Sequence, residues 1–365
     1  MKRRVRKTLV LVAKLAVAAG LIALLVRSGQ LQPAEIWAAM RRSPLWLGLA
    51  LLIYNVCIVL TANRWHMLLR AQGLRPSRGA CVQMTYTGCF FSCFLPGGTG
   101  GDLVKAYYVA RDSHKRAEAV TTVFLDRVFG LYCMIGLAAA AVLLRLGHLW
   151  HYGEGEEAGT ALLGLTQAQL LVVGVLAVFA GATVGLVAFL SPHCRRLVHG
   201  LLARLPEPLG SVLKRIYEAV YLYRGQWRVL GKFALYSVSA HVLVSVSLWL
   251  VGLSLEDPVA WGGARALNYL FLVPMGLILN GLPIAPAGMG VFEWALRFLF
   301  ATVLSAGEPN VGANVAFLAH ILIIVTNQVG LAFYLKGKRR VEAAMEAAAR
   351  DAASVPPEPA ADADA

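Results

Sequence analysis

Runs of about twenty apolar residues decide what this chain can become, because a ~30 Å hydrocarbon core needs a helix of that length. Such runs cover residues 8–26, 44–62, 119–144, 162–190, 230–251 and 311–335. Two further apolar stretches are interrupted. Residues 80–95 break at Pro96-Gly97-Gly98-Thr99-Gly100-Gly101 and resume at 102–110; residues 266–283 break around Pro286-Ala287-Gly288-Met289-Gly290 and resume to 304. At 58% hydrophobic and 15% charged residues, the chain lies outside the range of soluble domains, about 45–50% and 25%. A soluble enzyme is excluded, and so is disorder outside the C-terminal tail. The first run carries Lys14 and lacks a small-residue cleavage site, so it reads as an uncleaved anchor. Cys57, Cys81, Cys89, Cys93, Cys133 and Cys194 have no paired metal spacing and mostly sit in apolar runs, where Cys acts as a small hydrophobe.

The net charge of +14 reads as basic loops beside anionic lipid, not as nucleic-acid binding. Most of the 34 Lys and Arg fall in five places: the N-terminus, loop 63–79 with Arg64, Arg70, Arg75 and Arg78, segment 105–116 with Lys105, loop 191–232, and the stretch from Lys336 to Arg340. The opposite loops hold Glu154, Glu156, Glu157, Glu256, Asp257 and Glu308. The positive-inside rule then puts both termini in the cytoplasm of a multi-pass cell-membrane protein. This works only if each interrupted stretch enters and leaves on one face. The fold class expected is therefore an all-α polytopic membrane protein with about six spanning helices and two re-entrant broken-helix hairpins.

Each half then holds two spans, a broken hairpin and a third span. Three spans per half invert the second half relative to the first, a plan that places a transporter's site at the repeat interface. Residues 1–340 form the membrane domain, with halves near 1–150 and 160–340. Residues 341–350 extend the last helix, and 351–365, rich in Ala, Pro and Asp, read as disordered. Loop 191–229 suggests amphipathic surface helices, with Leu209, Val212, Leu213, Ile216 and Val220 on one face.

Non-helical backbone at membrane depth survives only where protein buries it or water reaches it. Gly97, Gly98, Gly100 and Gly101, with Asp102 following, and Gly288 and Gly290 therefore mark candidate cavities. Their N–H groups and the helix N-termini behind them favour an anionic group, although a helix-breaking turn explains each break equally well. No Gly-Lys-Ser/Thr follows the first break, so it is no nucleotide loop. Asp126 and Arg127 lie inside a span and point about 100° apart, so each needs a partner across the bundle. Whether those contacts handle a substrate or only join helices stays open. Glu293 and Arg297, spaced i, i+4 with the acid first, suggest a pair on one helical face. Asn55, Asn280, His320, Asn327 and Gln328 read as interhelical hydrogen-bond partners. His148 and His151 lack a third ligand for a metal, and no cofactor is expected.

The segment Phe94-Leu95-Pro96-Gly97-Gly98-Thr99-Gly100-Gly101-Asp102-Leu103-Val104-Lys105-Ala106-Tyr107 resembles the signature of the lysylphosphatidylglycerol synthase transmembrane-region family, the flippase-like integral membrane proteins. So do Ala117-Glu118-Ala119-Val120, Leu125-Asp126-Arg127-Val128-Phe129-Gly130-Leu131 and the later Leu282–Glu293 stretch. The resemblance implies movement of a phospholipid or another anionic lipid-linked headgroup between leaflets, with membrane lipids as partners. It also admits a membrane-embedded lipid-modifying transferase, or a subunit presenting lipid to a separate synthase or glycosyltransferase. No synthase domain is legible after Arg340, so the expectation is a non-enzymatic translocase.

Overall fold

The computed structural model describes residues 23–24, 26–27, 32–93, 100–111, 116–150, 165–189, 191–202, 204, 206, 209–255, 263–281, 288–303 and 310–354. The expected span 8–26 lies almost wholly outside them, as do Gly97, Gly98 and residues 282–287. The described elements are helical: α1 (Pro33–Arg42), α2 (Pro44–Ala71), α3 (Arg78–Ser92), α4 (Gly100–Arg111), α5 (Arg116–Leu144), α6 (Leu146–Trp150), α7 (Gln167–Phe189), α8 (Pro192–Leu202), α9 (Leu209–Tyr221), α10 (Trp227–Ser254), α11 (Gly263–Asn280), α12 (Val291–Val303) and α13 (Val311–Ser354), with a 3-10 turn at Leu222–Gly225.

Five of these helices, α2, α5, α7, α10 and α13, are long and apolar enough to cross a membrane. They coincide with the five expected runs after the first, apart from their ends. Helix α2 was expected to stop near residue 62 but continues to Ala71. The helical period of buried side chains runs on through Trp65, Leu68 and Leu69. Gly73, at φ 78°, then ends the helix: Leu74 N–H bonds to Leu69 O at 3.0 Å and Gly73 N–H to Arg70 O at 3.0 Å, the paired closure that a left-handed glycine permits. Arg64 is therefore inside a span and not in a loop. At the other end of the chain, α13 reaches Ser354, four residues into the segment read as disordered, because Ala-rich sequence favours helix until the prolines at 356 and 357.

The interrupted stretches form two antiparallel helical hairpins. In the first, Cys81 shares a buried cluster with Val109, and Gly101 faces Gly88 so closely that a Cβ on Gly101 would stand 2.1 Å from the Gly88 carbonyl oxygen. In the second, Tyr269 packs edge-on to Phe300 at 5.4 Å, and a Cβ on Gly276 would stand 2.6 Å from Leu296. With ~1.5 Å rise per residue, α3, α4 and α12 are shorter than the ~30 Å core and too short to cross it as single helices.

Helices α2 and α10 pack along each other at the centre. Around them, the α2–α3, α3–α4, α4–α5, α2–α5, α5–α10 and α3–α13 contacts are matched by α10–α11, α11–α12, α12–α13, α10–α13, α2–α13 and α5–α11. Exchanging the halves maps one set onto the other. Each hairpin's first arm thus packs on the third span of the opposite half. Gly330 permits one such approach, since a Cβ there would stand 2.0 Å from the Tyr86 carbonyl oxygen.

Candidate functional site

Four helices meet at a buried ionic cluster beneath the first hairpin. Arg64 on α2 donates from Nε to Asp126 Oδ1 at 2.9 Å and from Nη2 to Oδ2 at 2.9 Å. Its Nη1 donates to Ser237 Oγ on α10 at 3.0 Å. Lys105 on α4 lies 3.8 Å from Asp126 Oδ2 and 4.4 Å over the Trp65 ring, while Trp65 Nε1 donates to Thr122 Oγ1 at 3.1 Å. The Arg64 guanidinium also covers Phe233 at 4.8 Å. Gly130 lets it in, since a Cβ there would stand 3.0 Å from Nη1. Arg64, Lys105 and Asp126 are all buried. Such a bidentate, fully enclosed pair joins helices and leaves the Asp126 carboxylate no open side.

Arg127 is held differently. It forms an ion pair with Asp102, in the first turn of α4. Its side chain is 53% exposed and that of Asp102 13%. Asp126 and Arg127 therefore take separate partners on different faces of α5, as their offset of about 100° allows. Gly100 and Gly101 open α4, and Gly101 N–H donates to Ser92 Oγ at 3.0 Å, so this amide is already partnered at the hairpin tip.

At the second tip, Gly288 and Gly290 have φ of 77° and 81°, a left-handed turn that strains residues with a Cβ. Gly290 N–H donates to Glu293 Oε2 at 2.6 Å, the reach-back of an acid three residues into a helix to its cap. Glu293 Oε1 lies 2.7 Å from His320 Nδ1 on α13. The i, i+4 spacing suggested a Glu293–Arg297 pair, but the carboxylate turns to its own helix start and to His320. Arg297 Nε is instead buried without a hydrogen-bond partner, as are Asn280 Oδ1 and His320 Nε2. Asn280 abuts Gly288, where a Cβ would stand 1.6 Å from Oδ1.

The two halves share one device: an acid in the first turn of a hairpin's second arm tied to a basic side chain on the third span, Asp102 to Arg127 and Glu293 to His320. Sequence reasoning placed Asp102, Asp126, Arg127 and Glu293 as candidates but missed Arg64 and Lys105, which read as loop cations. The run Trp65, Leu68, Leu69 after Arg64 carried the signal. Asn55 does join helices, accepting from Tyr86 Oη at 2.8 Å and facing Thr326 Oγ1 at 3.4 Å; Gln328 instead bonds within its own helix, to Ile324 O.

The family described as the lysylphosphatidylglycerol synthase TM region matches residues 11–329, which include both hairpins and every charged group above. The chain belongs to this family. Its relatives include a protein named Glycosyltransferase AglD from Haloferax volcanii, 24% identical over 330 residues, 85% of this chain and 51% of the relative. The chain thus spans about half the length of that relative. A UPF0104 membrane protein from Methanothermobacter thermautotrophicus is 22% identical over 75% of this chain and 78% of its own. UPF0104 membrane protein PH1989 from Pyrococcus horikoshii is 21% identical over 72% and 79%. Membership in the family accounts for the multi-pass helical architecture.

Proposed function

We propose that this protein moves an anionic lipid headgroup between leaflets, with the Asp102–Arg127 pair at the tip of the first hairpin as the point of contact. The half-exposed Arg127 side chain, with its charge paired to Asp102 beside it, carries the reading. A charge on a spanning helix costs several kcal/mol in hydrocarbon, so an exposed one belongs in a polar groove, and a guanidinium there suits a phosphate. Asp126 has no comparable access; Arg64 and Lys105 enclose it. At the second hairpin, Asn280, Arg297 and His320 offer buried polar atoms still able to accept or donate. Acyl chains stay in the bilayer, so only the headgroup needs this path. The energy source is either the lipid gradient or a proton.

The test is translocation of labelled phosphatidylglycerol and phosphatidylcholine in reconstituted vesicles, at matched protein density and folding. Wild type should move phosphatidylglycerol, and Arg127→Gln should abolish movement. Movement unaffected by Arg127→Gln would remove the site from the first hairpin; movement of neither lipid would favour a second reading. In that reading, supported by the likeness to Glycosyltransferase AglD, the chain presents a lipid to a glycosyltransferase or other lipid-modifying enzyme, which should then co-purify with it.

A further inference from the structure

Away from both hairpins, the outer seam between α2 and α10 opens into a cavity of about 1140 Å³, larger than the ~300–1,000 Å³ usual for small-molecule pockets. Leu60, Asn63, Met67 and Arg70 line it from α2 at helical three- and four-residue spacing. Arg228, Lys232, Leu235 and Ser239 line it from α10 in the same way. Arg78, in the first turn of α3, closes one end. Four cations, Arg70, Arg78, Arg228 and Lys232, thus gather at that end. Among the described residues no acidic side chain lines the cavity and none forms an ion pair with these four. The N-terminus of α3, capped by Ser77 accepting from Ala80 N–H at 3.1 Å, adds its own positive potential. Lys232 and Ser239 are about 10 Å apart along the helix at ~1.5 Å per residue. Over that depth the wall turns apolar, through Met67, Leu60 and Leu235, the last 66% exposed.

We infer that this seam is a binding site for an anionic phospholipid of the leaflet on the basic side of the membrane. The cations take the phosphate, and an acyl chain lies along Leu60 and Leu235. A concentrated positive end that continues into an apolar, laterally open wall matches an amphiphile with one anionic end. A soluble anion has no use for the wall. A second copy of the chain, meeting this face about a two-fold axis, would set eight cations against each other. The positive-inside rule places the basic end in the cytoplasmic leaflet, where anionic lipid is concentrated.

The experiment is native mass spectrometry of the full chain in a neutral detergent, titrated with phosphatidylglycerol or phosphatidylcholine of identical chains. Bound lipid is scored, not transport, so the result stands apart from the translocation reading. Each cation is worth roughly fivefold. In an Arg127→Gln background, which takes away the proposed translocation contact, Arg70→Gln/Arg228→Gln/Lys232→Gln should therefore bind phosphatidylglycerol about a hundredfold more weakly, down to the phosphatidylcholine level. Leu60→Trp/Leu235→Trp, which fills the wall and leaves every cation, should also lose the lipid. All these side chains lie at the outer seam, and an unchanged thermal midpoint confirms folding. Unaltered phosphatidylglycerol binding in the triple variant overturns the inference. So does equal binding of both lipids by wild type, mole-for-mole competition by inorganic phosphate, or a dimer that the triple variant dissociates.

Discussion

Replacing Asp126 by Asn isolates what the buried cluster contributes. The carboxylate accepts two hydrogen bonds from Arg64 at 2.9 Å and faces Lys105 at 3.8 Å, and no more than about a twentieth of any of the three residues is exposed. Asparagine keeps the shape and one acceptor but removes the charge that both cations share. Removing one partner of a buried pair costs about 3–5 kcal/mol, and here two cations are stranded, so the upper part of that range is expected. Removing the bidentate partner as well should recover part of it, Lys105 alone staying without its counter-charge. Asp126→Leu/Arg64→Met removes both members of the bidentate pair, and well-packed apolar replacements are often neutral or better. The assay is reversible unfolding of the purified protein in mixed micelles, read as a double-mutant cycle. The single Asp126→Asn change should lower stability by more than the double change does. A single variant as stable as wild type, or a double variant less stable than either single one, would refute the argument that these charges act as a closed structural unit.

Gly330→Ala should cost at least the ~1–3 kcal/mol of overpacking, because its Cβ would stand 2.0 Å from the Tyr86 carbonyl oxygen, whereas Gly174→Ala meets nothing within 4 Å and should leave the thermal midpoint unchanged or raised. Glu293→Ala leaves Gly290 N–H and His320 Nδ1 without their partner, a loss of roughly 2–4 kcal/mol; Glu293→Gln, which can still bond both, should lose less than half of that in the same unfolding assay. Glu218 on α9 accepts from Arg195 at 3.0 Å and lies 2.6 Å from His199, both on α8. Its partial burial works to raise the carboxyl's pKa, but the hydrogen bonds from Arg195 and His199 outweigh it and hold the group below its ordinary 4.5. A lowered folded-state pKa stabilises above the ordinary value and is lost as pH falls through the folded one. Protection factors for hydrogen exchange in α8 and α9, corrected for the intrinsic rate at each pH, should therefore fall below about pH 4.5 in wild type, with Glu218→Gln already low and flat across that window.

The spans were legible because nothing else in a sequence looks like twenty apolar residues, and the hairpins because Pro and Gly at membrane depth need a local reason. Arg64 was not legible as a core residue. A basic side chain after an apolar run reads as a loop cation by the same rule that orients the protein, and only Asp126, 62 positions away, reveals that the helix carries its charge inward. Lys105 failed for the same reason. Arg297 shows a local rule overridden: i, i+4 spacing predicts a pair worth a few tenths of a kcal/mol, too little to compete with a helix-start amide and a buried imidazole for the one carboxylate. Glu293 as a cap was within reach, since an acid three residues after Gly290 is a helix-start pattern. The symmetry of the helix contacts was foreshadowed by the matching order of spans and hairpins, although the two breaks share little more than Pro and Gly.

The Asp102–Arg127 pair decides between strut and site, and two substitutions separate them. As a strut between α4 and α5, the pair loses equally from either end, and Asp102→Asn and Arg127→Gln should slow translocation alike. As a site, Arg127 exchanges Asp102 for the headgroup phosphate, so Asp102 is a competitor for the same guanidinium. Removing it then improves apparent lipid affinity, whereas removing Arg127 abolishes binding and transport together. An ion pair with one half-exposed partner is worth at most about 1 kcal/mol, which limits the gain in Asp102→Asn to about fivefold. Half-saturation with phosphatidylglycerol, measured in vesicles of graded anionic content, reads the difference directly. Opposite shifts in the two variants identify Arg127 as the group that meets the lipid; parallel losses of similar size make it part of the frame.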